Sequence, residues 1–278
     1  VFYLEIVILQ ESQPIVIQNS AEENYHLTGT FTRYSSWTAR VVTLLEYFQI
    51  PYDANFVKLS DVPSASPSGL VPLLRISSPG SSDTFHLNDS LAICEFLAES
   101  HPQLPLWPKD RKLRALARCA VAEMHAGFIH VRNCFPSNFV GRYTGNVPVP
   151  APARKEIERI LTIWDHSRKV TSETLRGIGE KDEGFLFGSF GIADAFFWPV
   201  LWRFRTYDLP LSTATREALT WMKTMWDDPI LRAVAHGYHK QAEQPETSIE
   251  KFDDIFRDSD PSIEYGKFEE VWMFTCPQ

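Results

Sequence analysis

Between residues 37 and 48 the apolar positions fall at Val41, Leu44, Leu45 and Phe48. That i, i+3, i+4, i+7 spacing predicts a helix, and Ile50-Pro51 stops it. On either side, residues 25–30 and 52–57 read as strands. Residues 71–75 and 84–87 read as two more, joined by the turn Ser78-Pro79-Gly80-Ser81. Residues 90–99 then read as a helix with Asp89 or Ser90 placed to cap it. The order β-α-β, then β-β-α, predicts a mixed α/β layer.

After Pro102 no strand pattern recurs. Residues 111–135 read as one long helix, with Leu113, Leu116, Ala117, Ala120, Met124 and Phe128 on one face. Residues 153–176 carry Ile157, Ile160, Leu161 and Trp164 at helical spacing. Residues 192–207 are apolar all round, as in a helix buried inside a bundle. Residues 213–226 are amphipathic through Leu219, Met222 and Trp226. A thioredoxin-like layer followed by an all-α domain is the expected plan.

Composition narrows the classes. The 278 residues are 44% hydrophobic, which suits one large or two ordinary domains and excludes a disordered chain. The best apolar stretch, 195–202, is far too short to span a bilayer and contains Pro199. A net charge of −8 argues against a non-specific nucleic-acid binder. The acidity is local: residues 243–270 hold ten acidic and three basic side chains. This tail reads either as a solvated extension or as a strap packing Ile255, Phe256 and the Val271–Phe274 cluster on the body. Cys94, Cys119, Cys134 and Cys276 form no CxxC, so neither a zinc site nor a disulfide scaffold is expected and a reducing, cytoplasmic setting is the default. Near the N-terminus, 2–9 and 15–18 are β-rich runs flanking Pro14, and 1–9 makes a poor signal peptide. The expected division is an extension at 1–24, the α/β domain at 25–104, the helical domain at 105–242 and the tail at 243–278.

Several motifs are specific. Ser68-Gly69-Leu70-Val71-Pro72-Leu73-Leu74, Asn88-Asp89-Ser90 with its helix, and Phe187-Gly188-x-x-Gly191-Ile192-Ala193-Asp194 together resemble the glutathione transferases. Tyr34-Ser35-Ser36-Trp37 and Glu123-Met124-His125-Ala126-Gly127-Phe128 resemble the serine-type branch, related to the zeta or maleylacetoacetate isomerase group. The resemblance covers residues 25–239. It implies a thioredoxin-like glutathione-binding domain, a helical domain, glutathione as co-substrate, no metal, and assembly with a second copy as an open possibility.

The chemistry to be served is thiolate formation, because a free thiol near pKa ~8.5 is a weak nucleophile at neutral pH. A hydroxyl donor at a helix N-terminus favours the anion. Ser35 and Ser36 precede the first helix. Alignment with the zeta pattern favours Ser35, with Ser36 in reserve, while simple helix capping explains either. The resemblance also implies a cis Val71-Pro72 bond that frees Val71's main chain for the ligand's cysteinyl unit. It assigns Asp89 to the γ-glutamyl ammonium and Ser90 to the carboxylate, with capping as the alternative. Lys58 is a candidate for the glycyl carboxylate or an ordinary surface lysine. Arg40 is open between a structural ion pair and a ligand contact.

A second substrate is expected between the domains. Val121, His125, Phe128 and Arg132 follow one helical stripe, and Trp37 and Asn138 are placed to line the same cleft. Trp37 stands where zeta enzymes often have Cys. Gly191 departs from the family's Ser/Thr-x-x-Asp capping box, a change bearing on folding. Three functions remain open on the sequence: conjugation of glutathione to a small electrophile, glutathione-dependent cis-trans isomerisation of an enone or diacid, and a non-catalytic scaffold with the same fold.

Overall fold

The computed structural model of the chain describes residues 23–275 apart from 79, 81, 82 and 259. The two β-rich N-terminal runs, Cys276 and part of the 78–81 turn lie outside the described residues.

The sheet forms where the sequence places its four strands. Strands β1 (Asn24–Thr30) and β2 (Asp53–Val57) are parallel and joined by helix α1 (Ser36–Tyr47). A short helix α2 (Val62–Ala65) follows. Strands β3 (Leu73–Ser77) and β4 (Thr84–Asn88) are antiparallel, and the order is β2-β1-β3-β4. Helix α3 (Ser90–Ser100) closes the layer. Val41, Leu44 and Leu45 of α1 are fully buried, as their spacing requires. The N-terminal turn of α1 lies very close to β1. A Cβ at Gly29 would stand 2.4 Å from the Thr38 methyl, so glycine is what lets this helix start sit against the sheet.

The helical half begins with α4 (Arg111–Ala126) and α5 (Ile129–Cys134). These correct the single helix expected over 111–135. Gly127 is extended, Phe128 is left-handed at φ 58°, and the chain turns there. The Arg132 guanidinium folds back onto the C-terminal carbonyls of α4, donating to His125 at 3.1 Å, to Gly127 at 2.9 Å and to Met124. A cation at that helix end satisfies open acceptors and complements the dipole. Phe128 still buries its ring, so the apolar spacing ran on through a break that only Gly127 signalled.

Strand β5 (Gly141–Thr144) comes next, then α6 (Ala151–Ile178), α7 (Ile192–Thr206), α8 (Arg216–Asp227), α9 (Pro229–Ala242) and strand β6 (Glu264–Lys267). The expected absence of strands after Pro102 is corrected by β5 and β6, which pair antiparallel with Tyr143 opposite Tyr265. At four residues each, with no apolar alternation, they carry no periodic signal. Helix α9 was not expected; Asp228 caps it through the Ile230 and Leu231 N–H groups and Pro229 opens it.

Helix α7 is the hub, with Phe196, Phe197, Trp198, Leu201 and Trp202 all buried. Its cap explains Gly191. Asp194 accepts from the N–H groups of Gly191 (3.1 Å) and Leu186 (2.9 Å) and from the Trp221 indole (2.9 Å). A Cβ at Gly191 would lie 2.8 Å from the Leu106 carbonyl oxygen, which itself accepts from Ile192 N–H. Burial pushes the Asp194 carboxyl up to about 6, against the pull of its three donors and Arg168.

The segment after α9 packs on the body. Ile263 is buried, and Ile255, Phe256, Trp272 and Phe274 pack on the core, while Val271 and Met273 face solvent. The Arg205 guanidinium carbon lies 3.9 Å from the Phe268 ring centre and 4.6 Å from that of Trp272. Among the described residues, no helix is long and apolar enough to cross a membrane.

Candidate active site

Ser35 is the N-cap of α1. Its Oγ accepts from the Thr38 N–H at 3.2 Å and donates to the Thr38 hydroxyl at 2.9 Å. The residue is half-buried, and the N–H groups of Ser36 and Trp37 have no acceptor among the described residues. The mouth of α1 thus offers a rotatable hydroxyl and two open N–H donors, the equipment an anion needs. Ser36, the first residue of α1, is 7% exposed and is not the cap. Tyr34, a neighbouring hydroxyl not considered from the sequence, points elsewhere: it donates to Asp253 at 2.8 Å. Burial chiefly, with Asp253 adding to it, holds its pKa up at about 12.

The second half of the site is at the start of α3. Asp89 has φ 80° and caps the helix, accepting from Leu91 and Ala92 N–H at 2.8 and 3.3 Å through Oδ1. Its Oδ2 meets His125 Nε2 at 3.1 Å, and the carboxylate stays partly open to solvent. Ser90 is fully buried, its Oγ accepting from Arg40 Nη1 at 3.2 Å. The Ser90 hydroxyl accepts from Arg40 and keeps its own O–H to donate at this helix start.

Arg40 unites the halves. Fully buried, it donates to Ser90, to His125 Nδ1 at 3.4 Å and to the Met124 sulfur at 3.3 Å. Its guanidinium carbon lies 4.3 Å from the Trp37 ring centre and 4.7 Å from that of Phe196. No carboxylate pairs with it directly among the described residues, which settles against the structural ion pair. Burial, then Arg132 and Arg203, pushes its pKa down. Because arginine only donates, His125 Nδ1 must accept, so the ring proton sits on Nε2 and faces Asp89. Burial first, with Arg40 and Arg132, also lowers the His125 pKa, while Asp89 opposes them. The ring is held neutral.

Trp37 stands edge-on to His125 at 5.2 Å, with the Arg132 guanidinium carbon 5.0 Å from its ring centre. The expected cleft stripe does not survive as a stripe. Of its members His125 meets the Asp89–Arg40 group beside Trp37 of α1, but Arg132 is engaged on the α4 carbonyls, and Phe128 is buried in the turn. Asn138 is 1% exposed, and its amide donates to Asp253 at 2.7 Å and to the Tyr265 oxygen at 2.9 Å. It fastens the C-terminal segment and does not line a cleft. Lys58 is exposed after β2, with no ion pair among the described residues. The Val71-Pro72 bond is cis, and Val71 precedes the ladder that starts at Leu73. No metal-holding group of three or more His, Cys, Asp or Glu is found among the described residues. Tyr34 and Asp253 were missed because 219 residues separate them, and no local spacing announces such a pair.

The glutathione S-transferase N-terminal domain model matches residues 34–100 and the corresponding C-terminal domain model matches residues 151–234, together just over half the chain. The chain belongs to the glutathione S-transferase family. It is 39% identical over 83 residues to a pyrimidodiazepine synthase of Drosophila melanogaster, covering 28% of this chain and 33% of that protein. It is 28% identical over 134 residues to a maleylacetoacetate isomerase of Dictyostelium discoideum, covering 45% of this chain and 58% of that one. The chain therefore spans a third to three fifths of these curated relatives. Among solved structures it is similar to a glutathione transferase homolog from Burkholderia GL BGR1 with bound glutathione. There the TM-score is 0.55 at 20% identity, over 78% of this chain and 99% of that one. It is also similar to a maleylacetoacetate isomerase from Anaeromyxobacter dehalogenans 2CP-1 with bound glutathione. That match has a TM-score of 0.54 at 20% identity, over 82% of this chain and all of the other. At such identity these matches show the fold.

Proposed function

We propose that this protein is a glutathione transferase in which Ser35 holds the thiolate at the mouth of α1 and delivers it to a small electrophile in a reducing, cytoplasmic setting. Residues 25–104 serve as the glutathione half and 105–242 as the helical half. The observation that carries this is the selection among three hydroxyls: Ser35 alone caps α1 half-open, while Ser36 is buried and Tyr34 donates to Asp253. Val71's main chain, with no hydrogen-bond partner among the described residues, is the docking edge for the cysteinyl unit. Asp89 takes the γ-glutamyl ammonium on its open side, and the Ser90 main chain meets the γ-glutamyl carboxylate. Lys58 is free to approach the glycyl carboxylate.

In the reaction the thiol proton leaves to solvent. Ser35 Oγ–H turns from Thr38 to the sulfur, and the helix N-terminus favours the anion. The thiolate pair then forms the C–S bond as the leaving group departs or as an activated double bond takes up the charge.

Isomerisation is the second reading, favoured by the maleylacetoacetate isomerase relative. It requires cations to grip the far end of a diacid, and Arg132 is already engaged on α4. The test follows free thiol against product with a generic aromatic or enone electrophile in excess. Transfer consumes one glutathione per product. Product accumulating many-fold over glutathione at a flat thiol titre overturns transfer in favour of isomerisation.

A further inference from the structure

The loop that carries Ser35 is held from outside by the helical half and the C-terminal segment. Gln241 of α9 accepts from the Arg33 N–H at 3.3 Å and donates to the Thr32 hydroxyl at 2.9 Å. Phe139 N–H donates to the Arg33 carbonyl at 2.9 Å. The Arg33 guanidinium carbon lies 4.1 Å from the Tyr34 ring centre. The Tyr34 hydroxyl ends on the Asp253 carboxylate at 2.8 and 2.9 Å to its two oxygens.

Asp253 is a collector of donors. Besides Tyr34 it accepts from Asn138 at 2.7 Å, Tyr265 at 2.9 Å and Ser248 at 2.9 Å. It makes no ion pair among the described residues. Four neutral donors on one carboxylate give charge-assisted bonds with fixed directions. The neighbouring backbone is pinned too: Phe252 O accepts from Asn138, and Ile255 N–H donates to the Tyr143 hydroxyl at 3.0 Å. The anchor ends on the residue directly before Ser35.

We propose that Asp253 is a positioning residue for the thiol site, fixing the Tyr34 ring and, through the adjoining backbone, the Ser35 hydroxyl at the mouth of α1. The C-terminal segment then completes the site from outside the glutathione half. This rests on the reading of Ser35 as the thiolate holder.

The test uses the full chain with glutathione as probe and reads the ultraviolet absorbance of bound thiolate against pH. Asp253→Ala and Tyr34→Phe remove the same contact from opposite ends. Each is expected to raise the bound-thiol pKa by about one unit, a tenfold loss of thiolate on the acid side. The double variant is expected to do no more than either single. Glutathione affinity should stay within about threefold, since Val71 and Asp89 are untouched. Trp272→Ala loosens the same segment at its far end, where the ring packs on Trp226 and Arg205. It should lower Tm and leave the thiol pKa in place. An unchanged thiol pKa in both Asp253→Ala and Tyr34→Phe, or an equal shift in Trp272→Ala, overturns the positioning role. A wild-type protein that never ionises bound glutathione below the free-thiol range overturns the Ser35 reading and this proposal with it.

Discussion

His125 donates its Nε2–H to Asp89 because Arg40 occupies the other ring nitrogen, and that order fixes the polarity of the site. A protonated ring would set two donors, Nδ1–H and Arg40 Nη1, against each other. The fold therefore holds His125 neutral, with a pKa below the usual histidine value of 6.5. For a base depressed in the fold, the stability it contributes is present above pH 6.5 and is lost as pH falls through the lowered pKa. His125→Gln should flatten that part of the acid limb, read as Tm against pH below 6.5. A limb of unchanged steepness would show that His125 does not titrate as argued.

Ser35→Ala should lower turnover with glutathione by about tenfold or more, because the thiolate loses its hydroxyl donor. Ser36→Ala should change turnover far less, since Ser36 is the more buried of the two and does not cap α1. Steady-state rates at saturating glutathione decide it, and the reverse order moves the thiolate to Ser36.

Arg132→Ala should act on stability more than on catalysis. It uncaps α4 and leaves three carbonyls short of a donor, at a cost of about 2–3 kcal/mol. Denaturant midpoints measure this. A loss confined to the KM of the second substrate, with stability unchanged, would return Arg132 to the cleft.

Gly191→Ser, which restores the family's capping residue, should destabilise. The added Cβ lies 2.8 Å from the rigid Leu106 carbonyl, and overpacking of this kind costs about 1–3 kcal/mol. A raised midpoint would show that the linker gives way and the cap is worth more.

The sheet and its helices are legible in the sequence because each is set by local periodicity and a local stop, as at Ile50-Pro51. Ser35 and Asp89 are legible as caps for the same reason: both sit at helix starts, where Ser and Asp are favoured. Arg40 is not, because its meaning comes from Ser90 and His125, 50 and 85 residues away. The break at Gly127 hides because Phe128 keeps the apolar spacing while its backbone turns left-handed. By composition the acidic run after α9 reads either as a solvated extension or as a strap packed on the body. Its packing depends on isolated residues, Asp253, Ile263 and Trp272, whose partners lie in other elements.

Asp89 serves two masters, and one substitution separates them. Asp89→Asn keeps an oxygen for the Leu91 and Ala92 N–H groups, so the α3 cap survives. Its amide nitrogen then faces His125 Nε2–H, a donor against a donor, which Arg40 prevents the ring from relieving by changing tautomer. The variant also removes the negative charge proposed to meet a γ-glutamyl ammonium. Glutathione should bind about 10- to 100-fold more weakly by calorimetry, the loss of one charge-assisted bond of ~1.4–2.7 kcal/mol. With Asp89's charge gone, the opposing pull on His125 disappears and its pKa should fall further. An unchanged dissociation constant with an intact cap would reduce Asp89 to a helix-capping residue and leave the ammonium without an assigned partner.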